Sequence, residues 1–145
     1  MTIRYAKKDD AEQIKELVTG LSHFYLSENE TKLPEWLSST LELKEFENRI
    51  KSNAFTNLVY ERNNRILGYI SIKDKNHIYH LFVSHEHQRK GISKKLWEKA
   101  KNLCQSPTYT VRSSLYAVPV YEYFGFSKSN EVETKDNLKF QAMKL

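Results

Sequence analysis

The chain is poor in residues that crosslink or break a fold: its 145 residues include four glycines, three prolines and one cysteine, Cys104. A lone cysteine excludes an internal disulfide and a cysteine-based zinc cluster, so Cys104 is predicted to be a small buried apolar residue. No apolar run approaches the roughly 20 residues that span a membrane. The first ten residues, MTIRYAKKDD, lack the apolar core of a signal peptide. We therefore expect one cytoplasmic domain covering residues 1–145, with no membrane partner.

Charge is distributed unevenly along the chain, whose net charge is +5. Basic side chains dominate residues 88–112, whereas acidic side chains dominate residues 26–50. A basic zone suits an anionic cofactor, and an acidic zone suits a cationic amine. The calculated pI of about 9.2 also fits a domain that binds nucleic acid without sequence preference. That alternative predicts steeply salt-dependent binding to DNA or RNA.

Hydrophobic periodicity predicts alternating helices and strands. The first predicted helix is capped by Asp9 or Asp10 and ends near Leu26, and a turn or short helix follows at Pro34–Leu37. A second helix is capped by Ser39 with Glu42, and a third buries Ile92, Leu96, Ala100 and Leu103. A last short helix is predicted at Leu115–Phe124. The predicted strands are Thr2–Tyr5, Phe55–Glu61, Ile66–Ile72, His77–Ser84, Tyr109–Arg112 and Leu138–Lys144. Residues 62–65, RNNR, predict a hairpin turn, so the strands around it are expected to form an antiparallel meander.

The most informative stretch is residues 80–95, HLFVSHEHQRKGISKK, which reads as a buried strand, a basic turn and the start of a helix. Unpaired N–H groups and the helix dipole make a helix N-terminus a binding site for phosphate. Gly91 allows a tight turn and a close backbone approach at that point. An ordinary strand-to-helix connection with a solvated lysine face is the alternative interpretation of these residues.

Two motifs resemble those of one family. Residues 88–93, QRKGIS, resemble the Q/R-x-x-G-x-G/A signature of the GNAT superfamily of acetyl-CoA-dependent N-acyltransferases. Residues 117–126, AVPVYEYFGF, resemble that family's A-x-x-F-Y-x-x-x-G-F segment. The resemblance implies an α/β fold with a mixed, mostly antiparallel sheet of six to seven strands flanked by about four helices. It also implies transfer of the acetyl group of acetyl-CoA to a primary amine by direct attack within a ternary complex.

The same resemblance implies a set of residues that bind the cofactor. Backbone groups of the strand would pair with the pantetheine arm, and the turn would hold the pyrophosphate. The implied residues are Leu81, Phe82, Val83, Gln88, Arg89, Lys90, Gly91, Ile92, Ser93, Lys94, Ser114 and Tyr121. Two positions depart from the family pattern. Ser93 replaces a glycine or alanine, and Arg112 stands where related sequences often have an asparagine, so that Ser114 is the candidate substitute.

Catalytic roles follow from the same comparison. Tyr121 matches the family's tyrosine and is the candidate general acid for the leaving thiolate, the alternative being an aromatic residue that only packs in the core. His77 or His80 is a candidate base, and strand alternation predicts that they face opposite sides of the sheet. Four histidines lie between residues 77 and 87, but no carboxylate or cysteine pattern accompanies them, so no metal is expected.

The acceptor is less constrained than the cofactor. Tyr25, Glu28 and Trp36 are candidate substrate-binding residues, and Glu28 with its acidic neighbours would suit a cationic small molecule or a protein lysine. An acyl-CoA-binding protein of the same fold without turnover is the main alternative, and Tyr121 argues against it. Nucleic-acid binding ranks third, because it leaves both motifs unexplained. A homodimer fits the family, but the sequence does not decide the oligomeric state.

Overall fold

The structure is a computed structural model that describes residues 2–21, 34–136 and 138–145. Within these residues the chain forms an eight-stranded sheet in the order β1-β2-β3-β4-β5-β8-β6, with β7 also paired to β8. The strands are β1 (Thr2–Tyr5), β2 (Phe55–Arg62), β3 (Arg65–Lys73), β4 (His77–Val83), β5 (Thr110–Ser114), β6 (Ser127–Lys128), β7 (Glu133–Lys135) and β8 (Leu138–Lys144). Only the β4–β5 pair is parallel among these. The mixed α/β fold is confirmed, and the strand number exceeds the predicted six to seven because β6 and β7 are too short to show periodicity.

Five α-helices accompany the sheet in the described residues. They are α1 (Ala11–Gly20), α2 (Glu35–Ser38), α3 (Leu43–Lys51), α4 (Ile92–Cys104) and α5 (Val118–Tyr123). Short 3-10 turns precede four of them, at Lys8–Asp10, Ser39–Leu41, His85–His87 and Leu115–Ala117. The predicted end of the first helix, near Leu26, lies outside the described residues.

One predicted helix cap is wrong, and the other is confirmed in its position only. Ser39 does not cap α3, because it lies in a 3-10 turn where its Oγ donates to the carbonyl of Trp36 at 3.3 Å, and Glu42 takes the cap position. Asp10 occupies the N-cap position of α1, as predicted, but its carboxylate forms no capping hydrogen bond. It instead accepts from the Lys7 N–H at 2.7 Å and pairs with Arg4 at 2.8 Å.

The predicted meander is confirmed, and its turns show why. Asn63 and Asn64 both adopt positive φ angles, of 52° and 63°, which a two-residue hairpin of this kind requires and which asparagine tolerates. Asp74 and Lys75 do the same in the next turn, at 53° and 64°. The turns therefore fix the register of β2, β3 and β4.

The sheet has a hydrophobic cluster on each face. Helix α4 covers one face, with Leu96 and Trp97 among its buried residues, and α1 and α3 cover the other, with Ile14 and Phe46. The prediction that Leu103 is buried is wrong, since it is 40% exposed. Leu103 lies on the same side of α4 as the buried Ile92 and Leu96 but in the last turn of the helix, where it is less covered. Cys104 is buried, as predicted.

No described helix is both long and apolar enough to cross a membrane.

Gly68 sets how closely α4 approaches β3. A Cβ added at Gly68 would lie 2.9 Å from Leu96 Cδ1 and 3.1 Å from Ile92 Cγ2. We expect Gly68→Val to destabilise the protein by about 1–3 kcal/mol through overpacking, measured by urea unfolding. Gly20→Ala is the control, because its Cβ would meet nothing within 4 Å. Alanine at this helical position should raise stability by about 0.5–1 kcal/mol. Unchanged stability of Gly68→Val would contradict the close packing.

Candidate active-site cleft

The parallel strands β4 and β5 are paired over a short distance. Within the described residues their register contains two pairs, His77 with Thr110 and Ile78 with Val111. Beyond Ile78, β4 continues along β3 as far as Val83, whereas β5 pairs with β8. The sheet therefore divides at this point.

A β-bulge lies where the division begins. Ser71 of β3 pairs with His80, and the next residue, Ile72, pairs with Ile78, which leaves Tyr79 as the extra residue. A bulge bends its strand and increases the local twist. It also interrupts the alternation of side chains, because Ile78 and Leu81 both contact the cluster under α4 although they are three residues apart. The predicted opposite placement of His77 and His80 assumed strict alternation, which the bulge breaks.

The division opens into a cleft of about 580 Å³. Its walls come from the end of β4, the turn before α4 and the segment that follows β5. The residues that line the cleft are Leu21, Leu81, Phe82, Val83, His87, Gln88, Arg89, Gly91, Ile92, Ser93, Lys94, Ser114, Tyr116, Ala117, Pro119, Val120, Tyr121, Tyr123 and Phe124. Every predicted cofactor-binding residue except Lys90 is among them.

The turn between β4 and α4 has the predicted tight geometry. Gly91 caps α4 with a φ of 82°, and Arg89 also has a positive φ, of 64°. Alternating conformations of this kind turn successive backbone N–H groups toward one side, where they form an anion-binding concavity. Arg89 and Lys94 add positive charge beside the cleft, although Lys94 also lies 3.9 Å from Glu98.

Gln88 connects the two walls of the cleft. Its Nε2 donates to the carbonyl of Val83 at 3.0 Å, and its Oε1 accepts from the Tyr116 hydroxyl at 3.0 Å. The amide side chain thus holds the turn against the end of β4 and against the segment after β5. Gln88 was predicted to contact the cofactor, and these two bonds show that it also positions the cleft walls.

Tyr121 lies on α5 with its side chain at the cleft and only 5% of its surface exposed. Its ring packs edge-on against Phe124 and Phe126, with centroids 6.0 and 5.7 Å away. Burial raises the pKa of the Tyr121 phenol above its usual value near 10. The hydroxyl therefore keeps its proton at neutral pH and is available as a donor.

The two predicted bases do not line the cleft. His77 is partly exposed and its Nδ1 lies 2.8 Å from Thr110 Oγ1. His80 is buried against the aromatic rings of Phe46 and Phe82. Burial, followed by the charge of Arg49, holds the pKa of His80 well below 6.5, so its ring is neutral.

Other predicted residues are also placed. Ser114 lines the cleft, where its Oγ accepts from the Ala117 N–H at 3.3 Å. Arg112 does not line the cleft and instead lies 3.5 Å from Glu133 with its guanidinium over the Phe140 ring. The role of Ser114 as the substitute for the family's asparagine stays a prediction.

The structure says less about the residues that were predicted to bind the acceptor. Tyr25 and Glu28 lie outside the described residues. The indole of Trp36 donates to Asp136 at 2.6 Å, and Lys135 lies over its ring at 4.3 Å. Trp36 therefore holds α2 against the segment between β7 and β8. Among the described residues, no group of three or more histidine, cysteine or acidic side chains is arranged to hold a metal ion.

Sequence reasoning missed several residues of the cleft. They belong to the end of α1 and to the 3-10 turn and helix after β5: Leu21, Tyr116, Ala117, Pro119, Val120, Tyr123 and Phe124. His87, in the turn before Gln88, also lines the cleft. The aromatic content of residues 116–124 was the available signal.

A family model described as an acetyltransferase (GNAT) domain matches residues 24–145. The chain belongs to the GNAT acetyltransferase family. The recognition of this family from two motifs is thereby confirmed, together with the enzyme class that it implies. A search of curated protein sequences gave no significant match.

Solved structures of acetyltransferases share the fold. The PaiA N-acetyltransferase of Thermoplasma acidophilum, in complex with coenzyme A, is 17% identical with a TM-score of 0.77 over 99% of this chain and 96% of its own. YncA, a putative acetyltransferase of Salmonella typhimurium with acetyl-CoA, is 22% identical with a TM-score of 0.72, over 100% and 92%. An aminoglycoside 6'-N-acetyltransferase complexed with coenzyme A is 12% identical with a TM-score of 0.75, over 100% and 96%.

The positive φ of Gly91 makes this GNAT turn sensitive to a side chain. A Cβ at Gly91 would meet nothing within 4 Å, so any cost of Gly91→Ala comes from the backbone alone. We expect a loss of roughly 1–2 kcal/mol in the free energy of unfolding, measured with urea. The same substitution at Gly20, where φ is not positive, is the matched control. Equal stabilities of the two variants would contradict the left-handed turn.

Proposed function

We infer that this protein transfers the acetyl group of acetyl-CoA to a primary amine by direct attack within a ternary complex. The observation that supports this most strongly is that one cleft is lined both by the left-handed turn before α4 and by Tyr121. These are the two elements that the family motifs supply, and they are separated by about 30 residues in the chain. The CoA-bound relatives of the same fold support the same donor.

The donor would lie along the divided sheet. Its pyrophosphate fits the turn at Arg89 and Gly91, where the start of a 13-residue helix supplies partial positive charge. The pantetheine arm would follow the end of β4 at Leu81–Val83, as an added strand follows an open sheet edge. The Val83 carbonyl accepts from Gln88, so an arm that uses it must share it with that side chain or displace it.

The reaction needs a neutral amine, a polarised thioester carbonyl and a proton for the sulfur. The amine lone pair forms the C–N bond at the carbonyl carbon, and the tetrahedral oxyanion is stabilised by a backbone N–H at the end of β4, at Phe82 or Val83. The C–S bond then breaks, and the sulfur keeps the electron pair. The nitrogen loses one proton and the sulfur gains one, so the products are an N-acetylated amine and free CoA.

Tyr121 is proposed to donate a hydrogen bond or a proton to the sulfur of the leaving CoA. A thiol has a pKa near 8.5 and a phenol near 10, so complete proton transfer from a phenol to a thiolate is uphill. Burial raises the pKa of Tyr121 further. The Tyr121 side chain therefore acts first as a hydrogen-bond donor to the developing thiolate. The proton that the amine loses accounts for the one that the sulfur gains in the overall reaction.

No residue is proposed as a dedicated base. His77 and His80 do not line the cleft, and the cleft is open enough for an acceptor to release its ammonium proton to solvent. The acceptor is a primary amine of a small molecule or a protein, as in the aminoglycoside 6'-N-acetyltransferase with the same fold. A cytoplasmic location, where acetyl-CoA is available, belongs to this proposal.

Calorimetric titration with acetyl-CoA and with CoA, at two salt concentrations, tests the donor. Micromolar saturable binding of both ligands, with weak binding of a duplex DNA control, is the expected result. Thiol release with a panel of amines then separates an enzyme from a protein that only binds acyl-CoA. Absence of CoA binding, or strong salt-dependent DNA binding instead, would overturn the proposal.

Removing the Tyr121 hydroxyl tests its role. We expect Tyr121→Phe to lower kcat by about ten-fold or more, because general acid catalysis typically contributes about 10²–10⁴-fold. The dissociation constant of acetyl-CoA, measured by calorimetry, should change little. Tyr5→Phe is the control, since Tyr5 is 59% exposed on β1 and does not line the cleft. Wild-type turnover of Tyr121→Phe would remove it from the catalytic residues.

The pH dependence of kcat gives a second test. Because burial raises the pKa of Tyr121, its phenol stays protonated through the range where an ordinary tyrosine ionises, near pH 10. We expect kcat to rise with pH as the amine loses its proton and to show no descending limb near pH 10. A descending limb near pH 10 that disappears in Tyr121→Phe would show that the phenol ionises normally.

A further inference from the structure

Arg49 is a buried cation that has no acidic partner among the described residues. It lies on α3 with 6% of its surface exposed, and none of the ion pairs among the described residues includes it. Its Nη2 donates to the carbonyl of Thr40 at 2.7 Å, whereas its Nε is buried without a hydrogen-bond partner in the part of the chain that the structure describes. A buried guanidinium normally has a carboxylate or phosphate partner, because desolvation of an unpaired charge is costly. No anion among the described residues therefore offsets the charge of this guanidinium.

Aromatic rings surround this guanidinium. Its Cζ lies 4.7 Å from the centroid of the Phe46 ring and 5.2 Å from that of Tyr79. His80 completes the group, with ring centroids 5.8 Å from Phe46 and 4.6 Å from Tyr79. His80 Nε2 is a second buried atom without a hydrogen-bond partner among the described residues. Tyr79 is only half-buried, so this group reaches the protein surface.

The group adjoins the cleft through Phe82. Phe82 and Leu21 belong to the cluster under α1 and α3 and also line the cleft, so the cleft borders that cluster. The ring of His80 lies 5.4 Å from that of Phe82. An acceptor that enters from this face would have its amine near Phe82 and its other end near Arg49.

We propose that Arg49 binds the carboxylate of the acceptor, which makes the acceptor an amino acid whose reacting primary amine lies at the far end of its chain. This inference rests on the proposed acetyl transfer. The planar guanidinium binds a carboxylate through two parallel hydrogen bonds, and the unpartnered Nε supplies one donor of such a fork.

Distance selects the terminal amine over the α-amine. Tyr79 and Phe82 are three residues apart on β4, which corresponds to at most about 10 Å, because the bulge at Tyr79 shortens the path along the strand. An α-amine is attached to the carbon next to the carboxylate and cannot span that separation. A chain of several methylene groups can, and the rings of Phe46 and Tyr79 offer apolar surface to it.

Two probes that differ only in the carboxylate test the proposal. They are 6-aminohexanoate and hexylamine, each titrated by calorimetry into the protein saturated with CoA and each tested as an acceptor by thiol release. We expect 6-aminohexanoate to bind at least ten-fold more tightly than hexylamine and to have a correspondingly higher kcat/KM. Equal affinities of the two probes in the wild-type protein would overturn the assignment, even if hexylamine is acetylated and the proposed function stands.

Variants attribute the preference to one side chain. Arg49→Met keeps the length and removes the charge, so it should bind both probes equally while acetyl-CoA affinity stays at the wild-type level. Arg49→Lys keeps the charge without the fork and should retain a smaller preference, which tests the proposal if the methionine variant does not fold. Arg112→Met is the matched control, because Arg112 is an exposed arginine that does not line the cleft. A full preference for 6-aminohexanoate in a folded Arg49→Met protein would contradict the proposal.

Discussion

The short backbone pairing between β4 and β5 determines where the sheet opens into a cleft. Strand β4 pairs with β3 along its length but with β5 only at His77 and Ile78 in the described register, and the bulge at Tyr79 follows directly. A bend at that position turns the end of β4 away from β5. Buried backbone groups need partners, so a divided sheet is stable only if side chains, water or a ligand supply them. Gln88 supplies one such partner at Val83, and a pantetheine arm is the natural candidate for others.

The fold was largely predictable because its signals are local. The helices and strands follow from hydrophobic periodicity, and the β2–β3 hairpin follows from Asn63 and Asn64. The errors occurred where tertiary packing decided between local alternatives. Leu103 lies on the same side of α4 as the buried Ile92 and Leu96, but it is 40% exposed because it lies in the last turn of the helix. The spacing of apolar residues does not show where the rest of the fold stops covering a helix.

The residues of the cleft could be predicted from the sequence where several neighbouring residues of one motif line it, but not elsewhere. The stretch from Gln88 to Lys94 lies at the cleft because turn and helix are adjacent in sequence. Tyr116 and Tyr123 reach it only because α5 packs beside the end of β5, which a motif does not show. The placement of His77 and His80 was not predictable for a different reason: the bulge at Tyr79 changes the alternation along β4, and the composition of the strand does not show one extra residue.

A crystal structure of the protein with bound CoA tests the central claim most directly, namely that the division between β4 and β5 is the site of acetyl transfer. Our account predicts that the pyrophosphate contacts backbone N–H groups near Gly91. It also predicts that the pantetheine arm follows Leu81–Val83 and that the sulfur lies within hydrogen-bonding distance of the Tyr121 hydroxyl. CoA bound outside this cleft, or a sulfur remote from Tyr121, would contradict it.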